Sequence, residues 1–429
     1  MITEFSVSNF RSFKSLQTLS LLAQPLRSKN NWLDDNTFAI GKGLSLLKTK
    51  AIFGANASGK SNLITAIGTF ITIVRDSVKD EGVLSRIQPF LLNEESENQP
   101  TFFQIVFVLD NVKYRYGFEA DKKEVKSEWL YGKPEQREVP YFIREGQSLI
   151  KRSDSQFPEA KQFSFLLNED NEIVRSNALF LTAAAALNGK LSKKILTAFS
   201  NIILLSGLDD VFMRQVVHKK LAKETHKNKV VKFLNEAGID IEDLSIEEVE
   251  FDPTTSQVSE QLENYFQKVK KFKLLASLKT RRGSDDQPIG KLSWSFHNHE
   301  SDGTKKMLDL SSFILDSIEH GRTLILDEFE ARLHTSLSQN IVQLFNASHS
   351  NPNNAQFIFS THDTNLLSNK LMRRDQIAFA KKDEYGQSTL YSLADIKGVR
   401  NDESYEKNYL IGKYDAIPKI GNLDLLQFN

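Results

Sequence analysis

The sequence predicts an α/β protein, and three features carry that expectation. An apolar run over residues 44–53 enters a glycine turn and is followed by a helix-forming stretch. A return to alternating strand and helix patterns occupies residues 289–393. Between them, residues 102–151 carry the β-rich runs FFQIVFVLD, KYRYGFEAD, EWLYG and YFIREG, broken by Gly, Asp and Pro. That is the pattern of an antiparallel sheet inserted after the first helix.

Taken in order, residues 2–7 and 16–22 alternate as strands, residues 44–53 form a buried strand, and a helix is expected over residues 60–78. The inserted sheet follows. From residue 175 to about 279 the pattern turns mainly helical, with charged stretches such as HKKLAKETHKNKVVKFL and NYFQKVKKFKLLASLKTRR. A charged run of this kind is ordinarily a solvated helix face, with a binding surface as the alternative. The polar break RRGSDDQP then precedes the second α/β segment. A chain of 429 residues exceeds what one compact core usually holds, so two or three packed units are expected. The boundaries fall at 1–175 for an N-terminal lobe with the antiparallel insert, 176–288 for a mainly helical insertion, and 289–429 for a C-terminal lobe. No internal repeat or low-complexity segment is present.

Composition removes several function classes. Lys plus Arg and Asp plus Glu both number 55, so no global field draws the chain to nucleic acid or anionic membrane, and any DNA contact must be a local patch. Cysteine is absent, which rules out disulfides, thiolate zinc sites and thiol nucleophiles and agrees with a reducing cytoplasm. The start, MITEFSVSNF, has an early Glu4 and no apolar core of a signal peptide. The longest apolar stretch, residues 178–187, is half of the roughly 20 residues a spanning helix needs. A cytoplasmic protein without a membrane segment is expected.

Four motifs carry chemistry. Residues 54–61, GANASGKS, fit a phosphate-binding loop between an apolar strand and a helix. In Gly54, Ala55, Asn56, Ala57, Ser58 and Gly59 the small side chains let successive N–H groups curl around a β-phosphate. Lys60 reaches the β- and γ-phosphates, and Ser61 coordinates Mg²⁺. Next comes TLILDE, residues 323–328, an apolar strand ending in two carboxylates: Asp327 to hold Mg²⁺ and Glu328 to act as general base on the attacking water. A solvated acidic turn is the competing reading of DE alone. FIFSTH, residues 357–362, is another strand ending in a polar triplet. Its His362 can hydrogen-bond a γ-phosphate, although a lone histidine is ordinarily structural. SDGTKK, residues 301–306, opens a helix, with Ser301 as a good N-cap and exposed N–H groups near Gly303 able to take an anion.

In this order GANASGKSN, ESDGTKK, LILDEFEARLH and FSTHD resemble the ABC-type ATPase heads of SMC, RecF and OLD-like proteins, and SVSNFRSF matches the N-terminal strand pattern of that group. YEKNYLIGKYDAIPKI and FFQIVFVLDNVKYRYGFE are similar to bacterial stand-alone ATPases of the RloA type, grouped with abortive-infection and other phage-defence ATPases. The resemblance implies a P-loop NTPase head of the ABC type with an inserted antiparallel β subdomain and a helical insertion, binding ATP with Mg²⁺. It extends the nucleotide-binding set to Asn62 and makes SDGTKK the signature turn that grips the γ-phosphate held by the opposite subunit of a homodimer or larger homo-oligomer. Residues 330–334 become the D-loop at the dimer interface; Arg332 departs from the family pattern there, and a structural and a functional reading stay open for it. Gln88 becomes the candidate Q-loop glutamine that senses Mg²⁺ and γ-phosphate, and Arg11 a candidate nucleotide contact, with a surface arginine on an edge strand as the alternative.

The implied function is a slow or partner-gated ATPase of a bacterial phage-defence module, triggered by DNA or a phage protein and controlling a separately encoded effector nuclease or toxin. Fewer than seventy residues follow His362, too few for the C-terminal TOPRIM nuclease domain of OLD-type nucleases. A RecF-like DNA repair or recombination ATPase is the alternative, and an ATP-locked scaffold with negligible turnover the third reading, against which Glu328 argues. A transporter cassette fits least: SDGTKK and SVSNFRSF are both unlike those cassettes.

Overall fold

A computed structural model describes residues 1–26, 31–41, 43–135, 137–167, 173–250 and 271–418. The chain divides into two units: the first holds residues 1–206, 317–330 and 338–429, and the second residues 207–316 and 331–337.

The strands follow the chain as β1 (Ile2–Ser8), β2 (Gln17–Ser20), β3 (Thr37–Ala39), β4 (Ser45–Leu47) and β5 (Thr49–Phe53). Then come β6 (Thr101–Leu109), β7 (Val112–Ala120), β8 (Val125–Lys133), β9 (Val139–Glu145), β10 (Ser148–Arg152) and β11 (Ile202–Ser206). The second unit contributes β12 (Asp243–Glu250), β13 (Lys271–Arg282) and β14 (Pro288–Ser295). The first unit resumes with β15 (Thr323–Asp327), β16 (Gln356–Ser360), β17 (Ile377–Lys382) and β18 (Ser388–Ser392). The principal helices are α1 (Lys60–Asp76), α2 (Phe180–Ala186), α3 (Lys190–Ser200), α4 (Asp210–Leu221), α5 (Glu224–Glu236), α6 (Asp302–His320), α7 (Thr335–Asn346) and α8 (Tyr405–Leu410).

Two sheets organise the first unit. A seven-stranded sheet in the order β10-β9-β8-β7-β6-β1-β2 is antiparallel throughout, so the inserted β-rich stretch joins the N-terminal strand in one layer. The other sheet has the order β11-β15-β16-β5-β17-β18, and its first five strands run parallel. The fully buried runs TKAIF and QFIFS and the almost fully buried TLILD are what a strand covered on both faces demands. Parallel strands end on the same edge, so the residues after β5, β15 and β16 converge there, where open α/β sheets bind ligands.

Helix α1 fixes that edge. Leu63, Ile67, Phe70 and Val74 recur at helical spacing, and all are buried. Phe70 stacks on Phe118 at 5.6 Å between ring centroids and meets Phe5, Tyr116 and Phe199 edge-on. On another face a Cβ at Gly68 would lie 3.2 Å from Leu204 of β11. The helix that begins with the phosphate-loop lysine is thereby gripped by both sheets.

Two readings change. The run over residues 44–53 is two strands separated at Lys48, whose buried ammonium donates to Asn346 O (3.0 Å) and Ser348 Oγ (2.9 Å). Within the segment read as mainly helical up to residue 279, Asp243–Glu250 and Lys271–Arg282 are strands of a three-stranded antiparallel sheet; residues 251–270 lie outside the described residues. Phe272, Leu274, Ala276 and Leu278 alternate with period two, and that period prevailed over the helical one. Among the described residues no helix is long and apolar enough to cross a membrane.

Candidate nucleotide site

The turn after β5 is built for close backbone approach. Gly54 has φ of 150°, and a Cβ there would meet Ala380 O at 2.3 Å; Gly59 has φ of 113°, and a Cβ would meet Ser388 Oγ at 2.5 Å. No other residue fits either position. Ala57 takes a left-handed φ of 60°. Lys60, the first residue of α1, is buried and folds back over the loop, donating to Gly54 O (2.8 Å) and Ala55 O (2.9 Å). Burial lowers its pKa to about 8, against the opposing pull of Asp327, Glu330 and Glu328. Ser61, next in the helix, is exposed.

Asp327 closes β15, and Glu328 follows with φ of 50°. Ser360, at the end of the neighbouring β16, joins them: its hydroxyl donates to Asp327 Oδ1 and accepts from the Glu328 N–H at 2.9 Å. His362, two residues on, has its N–H accepted by Glu330 Oε1. Burial and the Lys60 charge lower the His362 pKa, while Glu330, Glu328 and Asp327 oppose the shift, so the imidazole is neutral at neutral pH. Mutual influence among Lys60, Asp327, Glu328, Glu330 and His362 marks one electrostatic cluster. The expected catalytic trio and two of the three expected metal ligands, Ser61 and Asp327, thus lie along one sheet edge, while the third, Gln88, is paired with Arg11.

Arg11 and Gln88 meet each other: Arg11 Nε donates to Gln88 Oε1 (2.9 Å) and the Arg11 N–H to Gln88 O (2.7 Å). The guanidinium also reaches Asn62 Oδ1 (3.4 Å) and Thr65 Oγ1 (3.3 Å) on the first turns of α1. Asn62 in turn donates to Ser12 Oγ (2.7 Å), and Ser12 pairs with Ser388 (2.8 Å).

Two buried oxygens here, Ser58 Oγ and Glu330 Oε2, have no hydrogen-bond partner. An orphaned hydroxyl in the phosphate loop and an orphaned carboxylate oxygen after β15 fit a site completed by a polyanion and its cation. Among the described residues no three or more His, Cys, Asp or Glu are grouped to hold a metal ion. A cation at Ser61 and Asp327 would therefore share its coordination with phosphate and water, as Mg²⁺ does.

A family profile described as "AAA domain, putative AbiEii toxin, Type IV TA system" matches residues 51–368, well over half of the chain. The chain belongs to this AAA family. Solved structures with a similar course are an SMC head bound to the C-winged helix domain of ScpA, at 14% identity over 91% of this chain and 97% of that one with a TM-score of 0.46; the SMC head domain from Thermotoga maritima, at 14% over 91% and 98% with 0.42; and an SMC head with an extended coiled coil, bound to the C-terminal domain of ScpA and derived from Pyrococcus furiosus, at 13% over 96% and 99% with 0.38. No curated protein sequence matches the chain.

In this AAA chain the remaining expected residues belong to the second unit. Ser301 caps α6: its Oγ accepts from the Thr304 N–H (3.1 Å) and lies 2.9 Å from Thr304 Oγ1. A Cβ on Gly303 would stand 3.1 Å from Arg332 O, so the turn and residues 331–334 are packed together. Arg332 has φ of 66° and is exposed.

Sequence reasoning gave Ser360, Ser12 and Ser388 no role, and Glu330 only a place in an interface loop. The second glutamate of DEFE, two positions after Glu328, was the one available signal for Glu330.

Proposed function

We propose that this AAA-family chain binds ATP with Mg²⁺ and hydrolyses it in a dimer of heads, and that the dimer controls a separately encoded nuclease or toxin in bacterial anti-phage defence. The observation that carries the chemistry is the convergence of the phosphate loop with Asp327, Glu328 and His362. The family description, with its AbiEii toxin and type IV toxin–antitoxin system, supports the defence setting.

The residues act as follows. The N–H groups of Gly54 to Ser61 and the N-terminus of α1 hold the β-phosphate, and Lys60 exchanges its two loop carbonyls for phosphate oxygens. Ser61 and Asp327 would hold Mg²⁺, which would supply positive charge to the phosphates. Glu328 accepts a proton from the attacking water, and its N–H, tied to Ser360, sets the carboxylate's direction. Neutral His362 donates one hydrogen bond to the γ-phosphate. Gln88 senses Mg²⁺ and γ-phosphate and Arg11 contacts the nucleotide, the two held together beside Asn62. Ser301 and Gly303 complete the γ-phosphate shell of the partner subunit.

Steady-state ATPase measurements on three proteins test this. The parent hydrolyses ATP in Mg²⁺; Lys60→Ala loses binding or turnover; Glu328→Gln binds ATP but turns over about 10²- to 10⁴-fold more slowly. Undiminished hydrolysis by Lys60→Ala refutes the loop assignment, and a parental rate in Glu328→Gln removes Glu328 as the base. Co-purification from the native operon, with mass analysis of the complex, tests the effector; recovery of the chain alone counts against one.

A further inference from the structure

Positive charge gathers in one part of the second unit. From Asp210 to Glu236, the span of α4 and α5, seven Lys and Arg side chains stand against three Asp and Glu, whereas the whole chain balances at 55 of each. Ala222 and Lys223 alone join the two helices.

These charges are sorted by face. Met213, Val217 and Leu221 of α4 and Val230 and Leu234 of α5 are buried at helical spacing, which fixes the inner side of each helix. Cations flanking that side are neutralised by neighbouring elements. Arg214 meets Asp309 (3.6 Å) and Lys220 meets Asp316 (3.4 Å), both on α6, and Lys227 lies 2.9 Å from Asp243 of β12. Lys219 and Lys232 stand two positions after Val217 and Val230, about 200° around their helices, and so point outward. They and Lys223 in the turn are exposed, and among the described residues none of the three is ion-paired. One helical turn before Lys219 and Lys232 stand the exposed amides Gln215 and Asn228.

That set discriminates between polyanions. Protein interfaces are depleted in Lys and enriched in aromatic residues, Met and Arg. No Phe, Tyr, Trp, Met or Arg is exposed on α4 or α5 among the residues whose side chains the structure describes. Phosphate oxygens, in contrast, are contacted by Lys together with Asn and Gln, and such contacts need no base-reading Arg. Uncompensated lysines repel one another until an anion arrives, and a nucleic-acid backbone brings a row of anions whose own counterions they release. We propose that the outer face of α4 and α5 binds nucleic acid through its phosphodiester backbone, independently of sequence. The inference does not depend on the ATPase reading, and it supplies the local patch that a chain of zero net charge needs for such a contact.

Fluorescence anisotropy of the full chain with a labelled mixed-sequence DNA duplex, and with the corresponding single strand, tests it over a salt series. Three phosphate contacts give log affinity for the duplex a slope of about −2.7 against log salt, so the parent should weaken about 40-fold or more between roughly 50 and 200 mM. Lys219→Gln, Lys223→Gln and Lys232→Gln combined should lose about tenfold or more at the low-salt end and flatten the slope by about two to three. Lys122→Gln, Lys123→Gln and Lys133→Gln combined, which remove the same charge from exposed positions of the first unit, should bind as the parent does. Binding of neither DNA by the parent overturns the proposal, as do parental affinity in the first triple variant and equal losses in both, which would report net charge alone. Polyglutamate displacing the duplex as well as unlabelled duplex of equal total charge would also overturn it and make the face a site for acidic protein.

Discussion

Raising the pH should release nucleotide, and the structure supplies the magnitude. Lys60 is buried against Gly54 O and Ala55 O, and its pKa in the nucleotide-free chain is lowered to about 8. A triphosphate brings negative charge to the ammonium and raises that pKa, so above pH 8 binding must take up a proton. The sign follows: affinity is constant below the free-chain pKa and falls as pH rises through it. One unit higher, near pH 9, about a tenth of the free chain carries a charged Lys60, so apparent affinity drops about tenfold, or ~1.4 kcal/mol. The loss continues with a slope of about one decade per pH unit until the bound-state pKa is reached. Titration calorimetry in two buffers of different ionisation enthalpy reads affinity and proton uptake together. Lys60→Arg is the control, because a guanidinium stays charged throughout and any pH dependence left in it belongs to other groups. Affinity flat from about pH 7.5 to 9.5 in the parent, or an equal decline in Lys60→Arg, refutes the argument.

Ser360→Ala removes the hydroxyl that joins Asp327 to the Glu328 N–H. We expect turnover to fall by about tenfold or more with ATP affinity changed far less, read as a split between kcat and KM; equal changes in both would give Ser360 a role in binding. Phe70→Ala empties the ring cluster under α1 and should cost about 3–5 kcal/mol in denaturant unfolding. A loss below about 1 kcal/mol would mean that the two sheets do not depend on that side chain.

Local chemistry made much of the candidate site legible. The phosphate loop shows because strand, small residues, lysine and helix are consecutive, and TLILDE and FIFSTH show because each ends an apolar run. What stayed hidden depends on which strands are neighbours. Ser360 can serve Asp327 and Glu328 only because β16 lies beside β15, and Ser388 reaches Ser12 across 376 positions. The pairing of Arg11 with Gln88 likewise spans 77 positions. In the second unit the failure was of period: Leu274, Leu275 and Leu278 fit a helical face, while Leu274, Ala276 and Leu278 fit one face of a strand. Pairing with β12 and β14 decided the outcome, and no property of the segment alone reports those partners.

The proposed dimer raises a sharper question, because Ser301 already has an occupation. Its oxygen accepts the Thr304 N–H as a helix cap, and when Thr304 is the donor in the contact between the two hydroxyls the Ser301 hydroxyl keeps its hydrogen to donate, so capping α6 and holding a γ-phosphate are compatible in one side chain. Capping alone is worth about 1 kcal/mol and concerns the fold of one subunit. Bridging concerns two chains: if Ser301 and Gly303 complete the partner's site, ATP and self-association are thermodynamically linked and ATP must tighten the dimer. Ser301→Arg should then spare nucleotide affinity of the isolated head while abolishing ATP-promoted association and hydrolysis together. Mixed with Lys60→Ala, it forms heterodimers in which both lesions share one composite site and the other site is whole. Activity should return in part on mixing, followed by steady-state ATPase with sedimentation in ATP and in ADP. If Ser301→Arg lost activity with ATP-dependent association unchanged, Ser301 would be a helix cap and nothing more, and the γ-phosphate would be held within one subunit.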